Sequence, residues 1–391
     1  VEASEFRELM SAEGLRLLDS LPPYESTADV VRVVSRLRAE GHSPGLVAAV
    51  LSQAKLRARA RAKFGEFAST MLFTEAGLEQ ATRLQVAALH AGRFASAGVR
   101  WVADLGCGIG ADALALAALQ LEVTAVERDE VTAAIAAYNL ASWSNARVEH
   151  ASAEEFDLNG TDGVYLDPAR RSAGRRLSDP RDWTPSLDFA FGLADSRPTG
   201  IKLGPGIDRS LIPPGCEAQW VSVDRDVVEL GLWFGPLARP GVGRAALVLS
   251  ETGPAELTAA EDSPDAEGGP LGDYLLEPDG AVIRARLIGD LARSIGARML
   301  HPEIAYLTTD EPVQTPFATC FRVQAVLPLD VKTLKRELAA RRIGTLEIKK
   351  RGVDVDPAQF RTRLALKGDA AATLILTRRE GGRIALLAER V

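Results

Sequence analysis

Apolar and polar positions follow two rhythms along the chain. Up to about Ala97, apolar residues recur at spacings of three and four, as in Val30, Val33, Val34 and Leu37, and again in Leu84, Ala88 and Phe94. That period predicts helices, punctuated by Pro22-Pro23 and by the glycines of 41–45. From Val99 short β-like runs alternate with helical ones. Strands are expected at Trp101–Asp104, Glu122–Glu127, Ala146–His150, Gly163–Leu166 and Gly200–Leu203, with helices over Ala111–Leu119 and Asp129–Trp143. Such alternation predicts an α/β domain with a parallel sheet. Three further strands, Gln219–Val223, Val227–Phe234 and Ala245–Leu249, have too few residues between them for helical crossovers and are expected to pair antiparallel at the sheet edge. Residues 251–273 hold seven acids and no Lys or Arg, and read as a linker. Beyond them the pattern is α+β: helices over Ile283–Ile295, Asp330–Arg342 and Pro357–Leu364, and strands over Ala318–Val326, Thr345–Lys349, Ala372–Thr377 and Ile384–Ala388. The expected organisation is a helical region 1–97, an α/β domain 98–250, an acidic linker 251–273 and an α+β domain 274–391.

Composition narrows the class. With 391 residues, 46% hydrophobic and 25% charged, the chain reads as a soluble globular protein of two or three domains. A net charge of −7 argues against global attraction to nucleic acid but leaves room for a local basic face. Cys107, Cys216 and Cys320 form no CxxC pair and histidines number four, so neither a disulfide framework nor a metal site is expected. Charge fills the N-terminus where a signal peptide needs an apolar run, and no apolar stretch nears the ~20 residues of a bilayer span. A cytoplasmic protein without a membrane partner is expected.

Candidate chemistry begins at Asp104-Leu-Gly-Cys-Gly-Ile-Gly110, between the first strand of the α/β domain and its first helix. Gly106, Gly108 and Gly110 let the backbone turn sharply and approach a ligand, and the following helix presents unpaired N–H groups. Gly106, Gly108 and Ala111 also satisfy the looser dinucleotide fingerprint. Asp104 favours a different ligand, because a carboxylate two residues before the first glycine would repel a pyrophosphate and suits a cationic amino-acid end. Glu127 ends the second strand, placed for two ribose hydroxyls, with Arg128 beside it.

On these residues the chain resembles the class I S-adenosylmethionine-dependent methyltransferases over roughly 98–250, a family whose sheet is mainly parallel and ends in an antiparallel hairpin. The resemblance implies S-adenosylmethionine as cofactor, held by Asp104, the glycine loop and Glu127. Ser152, Ala153 and Glu154 stand where the family contacts adenine, with Ser152 where an Asp is frequent. The fourth strand runs Val164-Tyr-Leu-Asp-Pro-Ala-Arg170-Arg171 and resembles the Asp/Asn-Pro-Pro-aromatic motif of amino-group methyltransferases. That implies Asp167 and the Pro168 carbonyl as acceptors of hydrogen bonds from the substrate amino group, with transfer driven by positioning. Ala169 replaces the second proline and Arg170 the aromatic; an arginine stacks on a base or holds a phosphate, with Arg171 a further substrate contact.

Two basic stretches complete the reading. Lys55–Lys63 carries five positive charges in nine residues, and 332–363 carries ten Lys or Arg against four acids; both suit phosphate contacts and, equally, solvated helix faces. Thr345–Pro357, containing Lys349, Lys350 and Arg351, together with Ala372–Arg378, resembles the THUMP-like domain attached to certain bacterial class I methyltransferases. Those proteins also enter the catalytic domain through a segment like Phe73–Thr82, where Gln80 and Thr82 would cap the cofactor pocket. THUMP domains accompany RNA-modifying enzymes, so the resemblance implies RNA as partner and methylation of a base nitrogen in tRNA or rRNA. Two alternatives stay open: a methyltransferase acting on a small molecule or protein, and a non-catalytic RNA-binding protein with a vestigial cofactor fold.

Overall fold

The computed structural model describes residues 3–22, 27–168, 171, 172, 175, 176, 179 and 182–391. The chain forms two compact units, residues 1–202 with 233–238, and residues 203–232 with 239–391. The division falls inside the α/β region.

The first unit opens with helices α1 (Ala3–Leu9), α2 (Ala12–Ser20), α3 (Thr27–Ala39), α4 (Pro44–Phe64), α5 (Glu75–Gln80) and α6 (Leu84–Ser96). Ser43 caps α4 by accepting from the Leu46 N–H, and Pro44 pre-sets its first turn. Strands and helices then alternate: β1 (Trp101–Leu105), α7 (Ala111–Ala118), β2 (Glu122–Glu127), α8 (Glu130–Leu140), β3 (Ala146–His150) and β4 (Gly163–Leu166). A short ladder follows, β5 (Arg171–Ser172) with β6 (Arg175–Arg176), then α9 (Leu187–Ala194) and β7 (Thr199–Leu203). β1 pairs in parallel with β2 and β4, β2 with β3, and β4 with β7. β1 is buried from Val102 onward and apolar except for Asp104, as a central parallel strand covered on both faces must be.

The second unit holds β8 (Glu217–Val223), part of β9 (Asp226–Phe234), β10 (Arg244–Ser250), β11 (Gly253–Ala259), β12 (Tyr274–Pro278), α10 (Gly280–Arg284) and α11 (Ile288–Ile295). β13 (Arg298–His301), β14 (Ile304–Thr309), β15 (Ala318–Pro328), α12 (Val331–Ala340), β16 (Ile343–Lys350), α13 (Pro357–Leu364), β17 (Ala370–Arg379) and β18 (Gly382–Arg390) complete it. In the first unit the strand order is β7-β4-β1-β2-β3; in the second it is β11-β10-β8-β9, with a further sheet β13-β14-β12-β15-β18-β17-β16.

Three expectations change here. β8 and β9 are joined at Asp224-Arg225, both left-handed with φ of 49° and 73°, the geometry of a tight antiparallel hairpin. β10, however, pairs with β8 in parallel: β9 occupies one side of β8, so only the far side of β8 is left for β10. The edge itself is an antiparallel hairpin of β10 with β11. Part of the expected linker is thus strand β11, and Asp262, further along it, accepts from Arg209 at 2.7 Å and from Arg244 at 2.7 Å. The helix expected over Ile283–Ile295 is broken, since Arg286 is left-handed at φ 60° between α10 and α11.

Candidate active site

Every glycine of the loop after β1 has positive φ: 85° at Gly106, 56° at Gly108 and 84° at Gly110. A side chain at these positions would be strained, so the sequence is bound to glycine. The Gly106 and Cys107 N–H groups both donate to the Val126 carbonyl, at 2.9 and 3.0 Å, tying the loop to the end of β2. Gly110 then caps α7. Glu127 fixes the far side: Gly108 N–H donates to Oε2 at 3.1 Å and Asp129 N–H to Oε1 at 2.9 Å.

These elements enclose a cavity of about 250 Å³ at the carboxyl ends of the parallel strands, the position where open α/β sheets hold ligands. Asp104, Gly106, Gly108, Glu127, Arg128, Ala153 and Asp167 all line it. Gly110 stands behind at the helix start, and Ser152 donates to Glu154 Oε2 at 2.6 Å. Pro168 is buried beside Asp167. Arg170 and Ala169 lie outside the described residues, as does the side chain of Arg171, whose backbone belongs to β5.

The opposite wall comes from the helical region, through Thr74, Gly77, Gln80 and Thr82. Gln53 and Asn139 hold its approach. Gln53 donates to the Phe73 carbonyl (2.7 Å) and accepts from its N–H (3.0 Å), while Asn139 accepts from the Leu72 N–H (2.8 Å) and donates to the Ile109 carbonyl (2.9 Å). Lys63 donates to the carbonyls of Leu78, Glu79 and Ala81 at 2.7–2.8 Å, closing the carboxyl end of α5. The stretch Lys55–Lys63 therefore spends much of its charge internally: Arg57 meets Asp19 (3.0 Å) and Arg59 meets Glu75 (2.8 Å).

Electrostatics in the pocket are dominated by carboxylates. Asp104 is 1% exposed, and its Oδ2 has no hydrogen-bond partner among the described residues. Burial, then the neighbouring Asp112 and Asp167, push it well above the usual carboxylate range, against Lys202 and a hydrogen bond from Ala113 N–H. Asp112, in the first turn of α7, is shifted the other way. Burial opposes ionisation there, but His90 (2.8 Å), the nearby Lys202 and the Thr82 hydroxyl (2.6 Å) hold it below its ordinary value. Burial followed by Asp104 and Glu127 drives the Cys107 thiol well up, which leaves it unreactive.

Asp112, His90 and Lys202 escaped sequence reasoning. The available signals were a lone lysine inside the apolar run Gly200-Ile-Lys-Leu203 and an acid just inside the helix after a glycine loop. In the second unit, Lys349 pairs with Glu277 at 2.7 Å and Arg351 lies over the Tyr306 ring at 5.4 Å, whereas Lys350 is exposed.

Residues 318–390 match the THUMP domain-like family, and residues 2–60 match a domain family of unknown function. A protein of Mycobacterium tuberculosis described as an uncharacterized S-adenosylmethionine-dependent methyltransferase is 34% identical over 352 residues, covering 88% of this chain and 95% of that one. The crystal structure of a proposed methyltransferase from Porphyromonas gingivalis W83 has the same fold, with a TM-score of 0.70 at 21% identity over 94% of this chain and 99% of that one. Among the described residues no helix is long and apolar enough to cross a membrane. With the relative matched along nearly its whole length, the chain belongs to the class I S-adenosylmethionine-dependent methyltransferases and carries a THUMP-like domain at its C-terminal end.

Proposed function

We propose that this enzyme methylates an amino nitrogen of a base in structured RNA, such as tRNA or rRNA. The observation that carries the reading is the meeting of two motifs in one pocket. A side-chain carbon placed at Gly106 would lie 3.7 Å from the Asp167 backbone carbonyl, so the loop after β1 and the acid after β4 share a single space. The residues fit the cofactor. An unpartnered buried carboxylate oxygen is costly unless a ligand cation meets it, and S-adenosylmethionine carries an ammonium at its amino-acid end. Asp104 would hold that end, Glu127 the ribose hydroxyls through its remaining lone pairs, and Ala151 and Ala153 would flank the adenine. When bound, the cofactor supplies an electrophilic methyl group on a sulfonium. Asp167 and the Pro168 carbonyl would accept the N–H bonds of the substrate, leaving the nitrogen lone pair to face the methyl.

RNA as the substrate class rests on the THUMP-like match, because THUMP domains accompany RNA-modifying enzymes. Arg170 and Arg171 would then stack on a base or hold a phosphate, and Lys349, Lys350 and Arg351 would contact the RNA backbone, Lys350 being the exposed member.

Mass spectrometry of nucleosides from cells with and without the gene tests the assignment; a methylated base that disappears with the gene is expected, and an unchanged nucleoside profile would exclude RNA. In vitro, Asp167→Ala should abolish transfer while leaving affinity for S-adenosylhomocysteine within a few-fold. Replacing Lys349, Lys350 and Arg351 with Ala should flatten the salt dependence of RNA binding, by roughly 0.7–0.9 log units for each phosphate no longer neutralised.

A further inference from the structure

Lys202 is the fourth residue of β7, on a strand otherwise buried at every position, and its side chain is only 11% exposed. A lysine so placed loses most of its hydration and persists only with partners that replace it. Two are supplied. Its ammonium pairs with Asp167 Oδ2 and donates to the Thr82 hydroxyl at 2.9 Å. Thr82 has one hydroxyl proton, which goes to Asp112 Oδ2 at 2.6 Å, so toward Lys202 it can only accept. Asp112 Oδ1 in turn lies 2.8 Å from His90 Nδ1. The bonds thus have a fixed sense, from Lys202 through Thr82 to a buried carboxylate that is itself anchored.

We infer that Lys202 is the positioning residue of the acceptor site: locked by Thr82 and Asp112, it clamps the Asp167 carboxylate in one orientation and keeps it ionised to receive the substrate N–H. The inference rests on the proposed acceptor role of Asp167. Its electrostatic side follows from crowding. Asp104 on β1, Asp112 on α7 and Asp167 after β4 line one small cavity, and like charges so close disfavour each other's ionisation. Lys202 acts on both Asp104 and Asp112 as a favourable charge. Behind Asp112 stand His90 on α6 and, 2.9 Å from its Nδ1, the Tyr165 hydroxyl on β4, while Lys63 on α4, which also has Arg83 near it, is a cation that Lys202 itself helps to depress. An ionised Asp167 paired with a cation is a weak base, so its work would be orientation of the amino group, not proton abstraction.

The test uses the full chain with Lys202→Met, Lys202→Arg, Thr82→Val, Asp167→Ala, Asp167→Asn and the double variant Asp167→Asn/Lys202→Met. Activity is read as methyl transfer from labelled S-adenosylmethionine to total RNA from cells lacking the gene. Lys202→Met should lower kcat/KM between about 10- and 100-fold and move the acidic limb of the pH–rate profile to higher pH, with partial rescue by Lys202→Arg. Thr82→Val, which keeps the ammonium and removes its anchor, should move the limb in the same direction by less. A readout independent of turnover is thermal unfolding: the double variant should melt no lower than the worse single variant, because both break one pair. Additive melting losses would overturn the inference. So would a wild-type rate and an unmoved limb in Lys202→Met, or in Thr82→Val should Lys202→Met fail to fold, beside an inactive Asp167→Ala. Full activity in Asp167→Ala would overturn the acceptor reading and the inference with it.

Discussion

Asp104, near the end of β1, has one carboxylate oxygen buried and, among the described residues, unpartnered, beside Asp112 and Asp167. Its folded-state value lies well above the ordinary 3.8. Between those two values the folded apoprotein binds more protons than the unfolded chain, so this group makes stability fall as pH rises. Asp104→Asn removes the ionisable group, so the apoprotein should melt higher at neutral pH. The same change should weaken S-adenosylmethionine binding by about 1.5–3 kcal/mol, tenfold or more, because it removes the charge-assisted hydrogen bond proposed for the ligand ammonium. Between the ordinary and the raised value, calorimetry in buffers of different ionisation heat should also detect a proton released on binding by the wild type and none by the variant. Asp112 has the opposite sign. Its depressed value gives a stability contribution present above 3.8 and lost as pH falls through the depressed folded value. Asp112→Ala removes the acceptor of the Thr82 hydroxyl and one of the partners of His90, which keeps the Tyr165 hydroxyl, and should cost about 1–3 kcal/mol in urea unfolding.

At the scale of elements, α5 shows how a helix too short to persist alone becomes the wall of a site. Six residues cannot repay helix nucleation. Thr74 caps the start by accepting from the Gly77 N–H at 2.9 Å, and Lys63 closes the end. Gly77 lets the helix lie against the glycine loop, for an added Cβ would sit 2.5 Å from Ile109 Cγ2 and 2.7 Å from Thr74 Oγ1. Gly77→Ala should therefore cost about 1–3 kcal/mol of stability and weaken cofactor binding; an unchanged affinity would remove α5 from the site. Lys63 is depressed from 10.5 to about 8 by burial and then by Lys202 and Arg83. The unfolded chain binds the extra proton between about 8 and 10.5, so this lysine's contribution to stability rises with pH across that window. Urea titrations at several pH values should show that slope in the wild type and lose it in Lys63→Met.

For the molecule as a whole, an acidic chain gathers its positive charge into internal pairs. In the second unit Arg239 binds Glu217, which is fully buried, through Nη2 at 2.6 Å, and Glu256 through Nη2 at 2.8 Å. Arg239→Ala would leave Glu217 buried close to a like charge, and should cost about 3–5 kcal/mol, measured by chemical unfolding. Since Arg57, Arg59, Lys63 and Lys349 are likewise engaged, the clusters of like charge in the sequence overstate what is left for a nucleic acid.

The sequence by itself determined the strands of the α/β domain, several to the residue, along with the glycine loop and the positions of Asp104, Glu127 and Asp167 at strand ends. These depend on local causes: hydrophobic period, the sterics of glycine, and the place of an acid relative to a strand end. β11 was not legible, because a strand at a sheet edge need not be apolar and the acids around it suggested solvent. The parallel course of β10 was decided by which side of β8 is taken by β9, a choice between partners distant in sequence. The same holds for the network behind the pocket. Thr82 and Lys202 are 120 positions apart, and His90 and Asp112 are 22 apart. No period or motif links them, and only the closing of the parallel sheet against α6 and α7 brings their polar atoms within hydrogen-bond reach. A buried charge is tolerated where its partner arrives from another element, and that arrival is a property of the tertiary fold.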